Sequence, residues 1–404
     1  MTLPSERTSR AIRSGRMNRR PPSFVVTLVA LAIVFGLAWM FFVRSSPSAP
    51  APVVSGVQGT YTWQPSQPSS GQTGSFSAVA SGNAGGEAES RSMVLGAGPP
   101  AAAYDSATRT ESLRVSHGPT VTAVRTIGAW PPVWRVATHS PLDYQGLAAV
   151  VRTAVDDRDD AVGIKPLKQG DRAVWRAAMT MDGKQIDLVV DQQTGIVTWY
   201  TDQKDTFTAN VNWATPPPAD TTYTVEVPAG ADAKTLSGGV VYAGSAAAAG
   251  RTAGYAPLVS RLAPDGYVVK AVATSRADMR PLSWISDKVL SLPVGPRGTA
   301  VLELYTRGLA QFTVEQVGPA TMHFWASVHD WSGEATPGRL SYQETTLQYG
   351  AFKGATASTW YQESGPSLFV AGARRAIFVT GALTRQELIA FAEGLKPVPA
   401  NAGR

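Results

Sequence analysis

Phe24 to Val43 is the stretch that most restricts this chain: twenty residues, FVVTLVALAIVFGLAWMFFV, with no charge and Thr27 as the one polar side chain. At ~1.5 Å per residue a helix of that length reaches ~30 Å, the thickness of a bilayer's hydrocarbon core. Six arginines (Arg7, Arg10, Arg13, Arg16, Arg19, Arg20) precede it, and Arg44 follows. Excess positive charge marks the cytoplasmic side. The sequence therefore predicts a basic cytoplasmic tail over 1–23, one transmembrane helix over 24–43, and an extracytoplasmic remainder, which places the protein in the cell membrane with a single span. A cleaved signal peptide is the rival reading, because Ala49-Pro50-Ala51 has small-x-small spacing. The apolar run, however, exceeds the ~7 to 15 residues of a signal core, and Pro52 would follow the cut. A tail this short cannot fold alone without disulfides or metal, so no cytoplasmic signalling domain is expected.

The charge balance changes meaning once its location is known. The chain of 404 residues holds 36 Lys and Arg against 30 Asp and Glu, but residues 1–44 contain seven of those bases and only one acid, Glu6. The remaining 29 bases and 29 acids cancel, which leaves no general field for nucleic-acid phosphates. Cysteine is absent. Disulfides, thiolate metal sites, a cysteine nucleophile and a lipid-bearing N-terminal cysteine are thereby excluded.

Between Ser45 and Glu87 the chain is dominated by Ser, Pro, Gly and Ala, with no charge before Glu87. This composition predicts a flexible linker over 44–87, with Tyr61 and Trp63 as an exposed pair or a short docking motif. Pro216-Pro217-Pro218 can continue neither a helix nor a central strand, so it divides the rest into domains over 88–215 and 219–400.

In the first of these, Ser140-Pro141-Leu142-Asp143 reads as a helix start, and Tyr144, Leu147, Ala148, Val151 and Val155 recur at helical spacing. The helix should end near Asp156-Asp157-Arg158-Asp159-Asp160. That acidic run lacks calcium-loop spacing and reads as a solvated loop. Ala173 to Met181, Gln185 to Asp191 and Ile196 to Asp202 follow as strands, joined by Asp182-Gly183 and by Gln192-Gln193-Thr194-Gly195. Ile186, Leu188 and Val190 share one apolar face.

The second domain reads as short strands over Tyr267 to Ala273, Ala300 to Thr306, Gln311 to Gln316, Met322 to Val328, Thr346 to Phe352, Thr359 to Gln362 and Ala376 to Thr380. A helix closes the chain from Arg385 to about Leu395. Thr384 and Glu387 are spaced for a capping box, and Leu383 and Leu388 for a hydrophobic staple.

Signatures of chemistry are sparse. No serine-hydrolase elbow, zinc helix, Walker loop or dinucleotide fingerprint occurs. Among His117, His139, His323 and His329, the last two with Asp330 come nearest to a metal set. On a strand, however, they would sit ~20 Å apart. Carboxylate pairs for glycoside hydrolysis leave no local spacing and stay open. The ten tryptophans outside the apolar run, among them Trp130, Trp134, Trp199, Trp213 and Trp360, suit either a ligand platform or core packing. No enzyme activity, catalytic residue, metal or cofactor is expected, and no individual ligand-binding residue is assigned.

Four stretches carry a family likeness. Asp171-Arg172-Ala173-Val174-Trp175, the strand to Met181, and Ile186 through Asp191-Gln192-Gln193-Thr194-Gly195 resemble the "strand, D-x-x-T-G, strand" signature of LolA-like lipoprotein carriers and of the MucB/RseB sigma-factor regulators. Leu262-Ala263-Pro264-Asp265-Gly266-Tyr267 and Leu304 through Val314 resemble the second domain of MucB/RseB, with Arg307 standing where that pattern has Asp. Thr380-Gly381-Ala382-Leu383-Thr384-Arg385-Gln386-Glu387-Leu388 through Leu395 is similar to a close shared by extracytoplasmic domains of Gram-positive bacteria.

The likeness spans about 170 to 400. It implies an α+β chain: a LolA-like antiparallel half-barrel over helices, holding acyl chains or a lipidated partner, then a smaller mixed antiparallel α+β domain that contacts an anti-sigma protein. The expected function is a membrane-anchored extracytoplasmic binding and regulatory protein. It would take a lipid or lipoprotein ligand and dock on a membrane-protein partner such as an anti-sigma factor. The alternative is a scaffold subunit of an envelope-assembly or secretion complex without a ligand cavity. A sheet face filled by residues such as Trp175, Met179 and Trp199 would favour that alternative.

Overall fold

The computed structural model describes residues 55–65, 72–81, 89–96, 101–105, 109–117, 120–128, 140–213, 225, 227, 229–237, 240–260, 262–264, 266–276, 299–318 and 339–398. The apolar run 24–43, the proline run 216–218 and the strand expected over Met322 to Val328 lie outside them. No helix among the described residues is long and apolar enough to cross a membrane. Open sheets with few helices dominate, so the described chain is α+β, as expected.

Among the described residues, twelve strands form the first sheet. An early meander consists of β1 (Gly56–Pro65), β2 (Gln72–Ser81), β3 (Glu89–Gly96), β4 (Ala101–Asp105), β5 (Thr110–His117) and β6 (Thr120–Ile127). A later one consists of β7 (Gly163–Gln169), β8 (Arg172–Met181), β9 (Lys184–Asp191), β10 (Val197–Thr201) and β11 (Asp205–Asn212). Antiparallel pairing of β1 with β11 joins the two, with Tyr61 opposite Ala209 and Trp63 opposite Phe207. A last strand, β12 (Asp232–Ser237), runs parallel to β6 at the edge.

The linker expectation over 44–87 is corrected here, because Gly56 to Pro65 and Gln72 to Ser81 are strands. Lack of charge hid a period of two. Phe76, Ala78 and Ala80 are all buried and alternate with the less buried Ser75, Ser77 and Val79. Tyr61 is likewise buried, 6.1 Å from the Phe207 ring, and Trp63 packs against the same core.

That core forms under α1 (Gln145–Asp157), which enters through a 3-10 turn over Pro141–Tyr144. Ser140 N donates to Asp143 Oδ2 at 3.0 Å, satisfying one of the donors a helix start leaves orphaned. Leu147, Val150, Val151 and Ala154 bury against a sheet face carrying Phe76, Met179, Ile186, Leu188, Val190 and Phe207. Each of these side chains other than Ala154 contributes ~1.5 to 3 kcal/mol on leaving water. The β8–β9 hairpin turns at Asp182 (φ 50°) and Gly183 (φ 78°), both in the left-handed region that a two-residue turn requires.

The second sheet, in spatial order, is β13 (Val240–Ala243), β15 (Val268–Arg276), β16 (Thr299–Arg307), β17 (Ala310–Val317), β21 (Ala376–Gly381), β20 (Gly365–Ala371), β19 (Thr356–Gln362) and β18 (Gln343–Thr346). Strand β14 (Leu258–Ser260) pairs separately with β22 (Leu395–Pro397). The sheets thus divide between Ser237 and Val240, beyond the proline run. α2 (Ala246–Ala253) packs on β15 and β16.

Thr346 to Phe352 is not one strand. β18 stops at Thr346, and Gly350–Phe352 forms a 3-10 turn. Gly350 has φ 76°, and a Cβ there would lie 2.3 Å from Glu393 O, so the chain bends against the closing helix. That helix, α3 (Arg385–Glu393), carries the expected capping box: Glu387 N donates to Thr384 Oγ1 at 3.1 Å, and Thr384 N donates to Glu387 Oε2 at 2.8 Å. Leu383 and Leu388 share its core, while Leu395, expected in the helix, begins β22.

Candidate functional site

The motifs that carry the family likeness turn out to build the fold. Asp191 is 1% exposed and accepts from Arg172 Nε at 2.5 Å, Arg172 Nη2 at 2.7 Å, Thr194 N at 2.8 Å and Thr194 Oγ1 at 2.7 Å. Gly195 follows at φ 71°. The spacing D-x-x-T-G is a carboxylate-centred turn closed by a left-handed residue. Burial raises the Asp191 carboxyl, but the Arg172 and Thr194 hydrogen bonds outweigh it and hold it below the usual range.

Pro264 to Tyr267 is a second turn, with Gly266 at φ 80° and Tyr267 N donating to Pro264 O at 3.1 Å. Arg307, where the likeness has Asp, lies 4.7 Å over the Tyr267 ring.

The run Asp156 to Asp160 is not merely a solvated loop. Arg385 Nη1 stands 3.7 Å from Asp157 Oδ2, and Arg385 Nη2 stands 3.5 Å from Asp159 Oδ2. The Ser341 hydroxyl donates to Asp159, and Tyr361 Oη donates to Asp157 Oδ2 at 3.4 Å. The end of α1 is therefore fastened to the second sheet. Lys184 with Glu363 at 3.3 Å and Arg339 with Asp182 at 3.6 Å add pairs between the same sheets. At the other side Arg109 lies 4.1 Å over the Tyr242 ring.

A cleft of about 50 Å³ opens where the start of α1 meets the turns after β8, β10 and β19. Asp143, Tyr144 and Leu147 come from the helix entry, Lys184 from the start of β9, Tyr200, Asp202 and Asp205 from the β10–β11 hairpin, and Glu363 from the turn after β19. Tyr144 and Tyr200 stack with centroids 4.2 Å apart. Burial, then Tyr200 and the charges of Asp143, Asp202 and Asp205, push the Tyr144 hydroxyl well above the ordinary tyrosine range. The cleft is thus acidic with an aromatic wall. None of these residues was singled out by sequence as a site, because Asp at a hairpin reads as turn chemistry.

Glu303 and Glu315 are buried in the central strands of the second sheet. Burial pushes Glu303 up to about 7 despite the hydrogen bond from Tyr305, and Glu315 up to about 8. Glu315 Oε2 has no hydrogen-bond partner. The two side chains point to opposite faces, because Glu303 pairs with Val314 and Glu315 with Leu302. They therefore do not form a catalytic pair.

His139, His323, His329, Trp130 and Trp134 lie outside the described residues. Of the remaining platform candidates, Trp360 is buried in the second sheet, Trp199 faces Arg176 at 5.9 Å, and Trp213 stacks under Arg172 at 4.0 Å. No group of three or more His, Cys, Asp or Glu among the described residues is placed to hold a metal.

Among the described residues, the apolar face of β1, β2 and β8 to β11 is occupied by α1. Trp175 and Met179 pack into the core under α1, and Trp199 lies on the other face.

No protein-family model and no curated protein matches the chain. Among solved structures it is similar to MucB in the MucA/MucB complex of Pseudomonas aeruginosa, at 14% identity and a TM-score of 0.28 over 86% of this chain and 94% of that one. It is similar to MucB in complex with MucA(peri) at 12% identity and a TM-score of 0.26, over 86% and 94%. It is also similar to PNGF-II at 8% identity and a TM-score of 0.22, over 83% and 69%. Likeness at this level sets no residue correspondence.

Proposed function

We propose that this chain is a membrane-anchored, extracytoplasmic binding protein that works by docking on a membrane-protein partner, of the anti-sigma kind that its sequence likeness implies. The anchor reading rests on the apolar run 24–43 and the arginines before it. The observation that carries the docking reading is the apolar face of β1, β2 and β8 to β11: α1 occupies it from Leu147 to Ala154. An acyl chain would have to share that face. The cleft at the helix start, about 50 Å³, is far below the ~300 Å³ at which small-ligand pockets begin. On the part of the sheet under α1 a lipid or lipoprotein ligand of the family likeness would need α1 displaced, which favours contact between folded surfaces.

The same occupied face favours a second reading, a scaffold subunit of an envelope-assembly or secretion complex. Both readings share the docking step and no enzyme activity.

The test is photocrosslinking in intact cells from Gln203, an exposed position in the β10–β11 turn. Crosslinks to one integral membrane protein are expected, and a change in transcription on deleting the chain separates the regulator from the scaffold. Stoichiometric lipid in an organic extract of the purified chain, with no crosslinked membrane protein, would overturn the reading.

A further inference from the structure

We propose that the face of β7 to β11 turned away from α1 rests on the anionic lipid headgroups of the membrane that holds the chain. This deepens the anchored reading above and rests on it.

The connection between the apolar run and the first sheet is short. The run ends at Val43 and β1 begins at Gly56, so twelve residues, 44–55, join them. Fully extended, twelve residues reach at most ~43 Å. β1 enters the sheet beside the end of β11, with Gln58 opposite Asn212, and Trp213 follows directly. The end of the sheet that carries Trp213 is therefore the tethered end. The β10–β11 turn lies at the other end, ~24 Å away along β11.

The side chains at the tethered end suit a headgroup layer. Arg176 lies opposite Val189 and Val189 opposite Trp199, so Arg176 and Trp199 share a face, whereas Ala177 and Leu188 belong to the core under α1. Arg172, four residues before Arg176 on the same strand face, stacks on Trp213 at 4.0 Å. Lys165 and Leu167 of β7 pair with Arg176 and Val174 and so share that face. Leu167 is 47% exposed and Trp213 37%. An indole ring is apolar with one polar N–H, which places it at the boundary between hydrocarbon and water.

The charge of the face has the sign that an anionic leaflet attracts. Arg172 is matched by Asp191 and Arg176 by Asp187, while Lys165 forms no ion pair among the described residues, which leaves these five charges at +1. One uncancelled charge and a few apolar side chains would hold a free protein to a bilayer only weakly. The tether changes that balance, because it makes the contact intramolecular and raises the effective concentration of headgroups at this end. A lipid surface therefore suits the face better than a second protein, which the tether does nothing to concentrate there.

The chain has no cysteine, so a single introduced cysteine reports one position. Asn210→Cys and Gln203→Cys, both at exposed positions, are each labelled on the full chain with an environment-sensitive NBD dye. Residue 210 lies on the proposed face, two positions beyond Thr208, the partner of Trp199, and residue 203 lies in the turn at the far end. The labelled chains are placed in phosphatidylcholine nanodiscs with and without phosphatidylglycerol. The label at 210 is expected to emit at shorter wavelength and to escape quenching by aqueous iodide, more so with phosphatidylglycerol, while the label at 203 does neither. Lys165→Gln should lower the ratio of docked to undocked chain about fivefold, the worth of one basic residue at an anionic surface. Trp213→Ala should lower it as well.

Equal iodide quenching at 210 and 203 in nanodiscs that hold the chain would refute the docked face. So would a protected label at 210 that survives both Lys165→Gln and Trp213→Ala in chains that melt like the wild type. A full chain that does not enter nanodiscs at all sinks the anchored reading instead.

Discussion

Arg385 Nη2 lies 3.5 Å from Asp159 Oδ2, so the helix that closes the chain is ion-paired to the loop that ends α1, 226 residues earlier. The same guanidinium reaches Asp157 and donates to Ser341 O at 2.9 Å. Arg385→Ala leaves two partly buried carboxylates facing each other without their cation. The expected loss is about 2 to 3 kcal/mol, below the ~3 to 5 of a fully buried pair, because Asp157 keeps some exposure. Urea unfolding checks it, and Asp157→Asn in the Arg385→Ala background should recover part of the loss.

Asp191→Asn tests whether the turn motif is structural. The amide can serve only some of the four donors that the carboxylate now satisfies, and it leaves Arg172 without a counter-charge. A cost of about 2 to 4 kcal/mol is expected at neutral pH. The native carboxyl is held below its unfolded value, so its contribution is present above the unfolded pKa and is lost as pH falls through the folded one. The difference between variant and wild type should therefore shrink in acid, as read by denaturation at several pH values.

The buried glutamates of the second sheet predict the opposite slope. Glu303 and Glu315 are pushed up to about 7 and about 8 from 4.5, so the folded chain holds protons that the unfolded chain has released. Their contribution is complete below ~4.5 and is lost as pH rises toward 8. Glu315→Gln should flatten that decline and stabilise the protein at pH 8 by an amount on the order of a few kcal/mol. A wild-type stability that is level from pH 5 to 8 would show that both carboxylates reach water.

Gly146 brings α1 against the backbone of the turn between β19 and β20. A Cβ there would lie 2.2 Å from Glu363 O and 2.6 Å from Ser364 C, both backbone atoms that cannot step aside cheaply. Gly146→Ala should cost about 1 to 3 kcal/mol by overpacking, against the ~1 kcal/mol that alanine gains over glycine in an open helix. Faster proteolysis near the β19–β20 turn would accompany the loss in thermal stability.

Local devices were readable in advance. The β8–β9 hairpin follows from Asp182-Gly183, the α3 start from Thr384 and Glu387, and the α1 face from Leu147, Val151 and their neighbours, because each involves residues within a turn or two of one another. The strands from Gly56 to Ser81 were missed because Ala and Gly fill positions where larger residues would have shown alternation. β20 was missed because Gly365 to Ala371 is buried along most of its length and shows no alternation at all. The Asp157 and Asp159 pairing with Arg385 was invisible, since an acidic run looks the same whether water or a distant arginine answers it.

The amino-acid sequence by itself determined the apolar run before residue 44, the neutral body after it, the turns and the helix caps, all of which rest on spacing or composition within one segment. Only the tertiary structure decided that Tyr61 lies opposite Ala209, that β12 joins β6 in parallel, and that Tyr144, Asp205 and Glu363 share one cleft. Such pairings depend on which distant faces fit together once long loops have closed, and that free energy leaves no periodic mark on the residues that supply it.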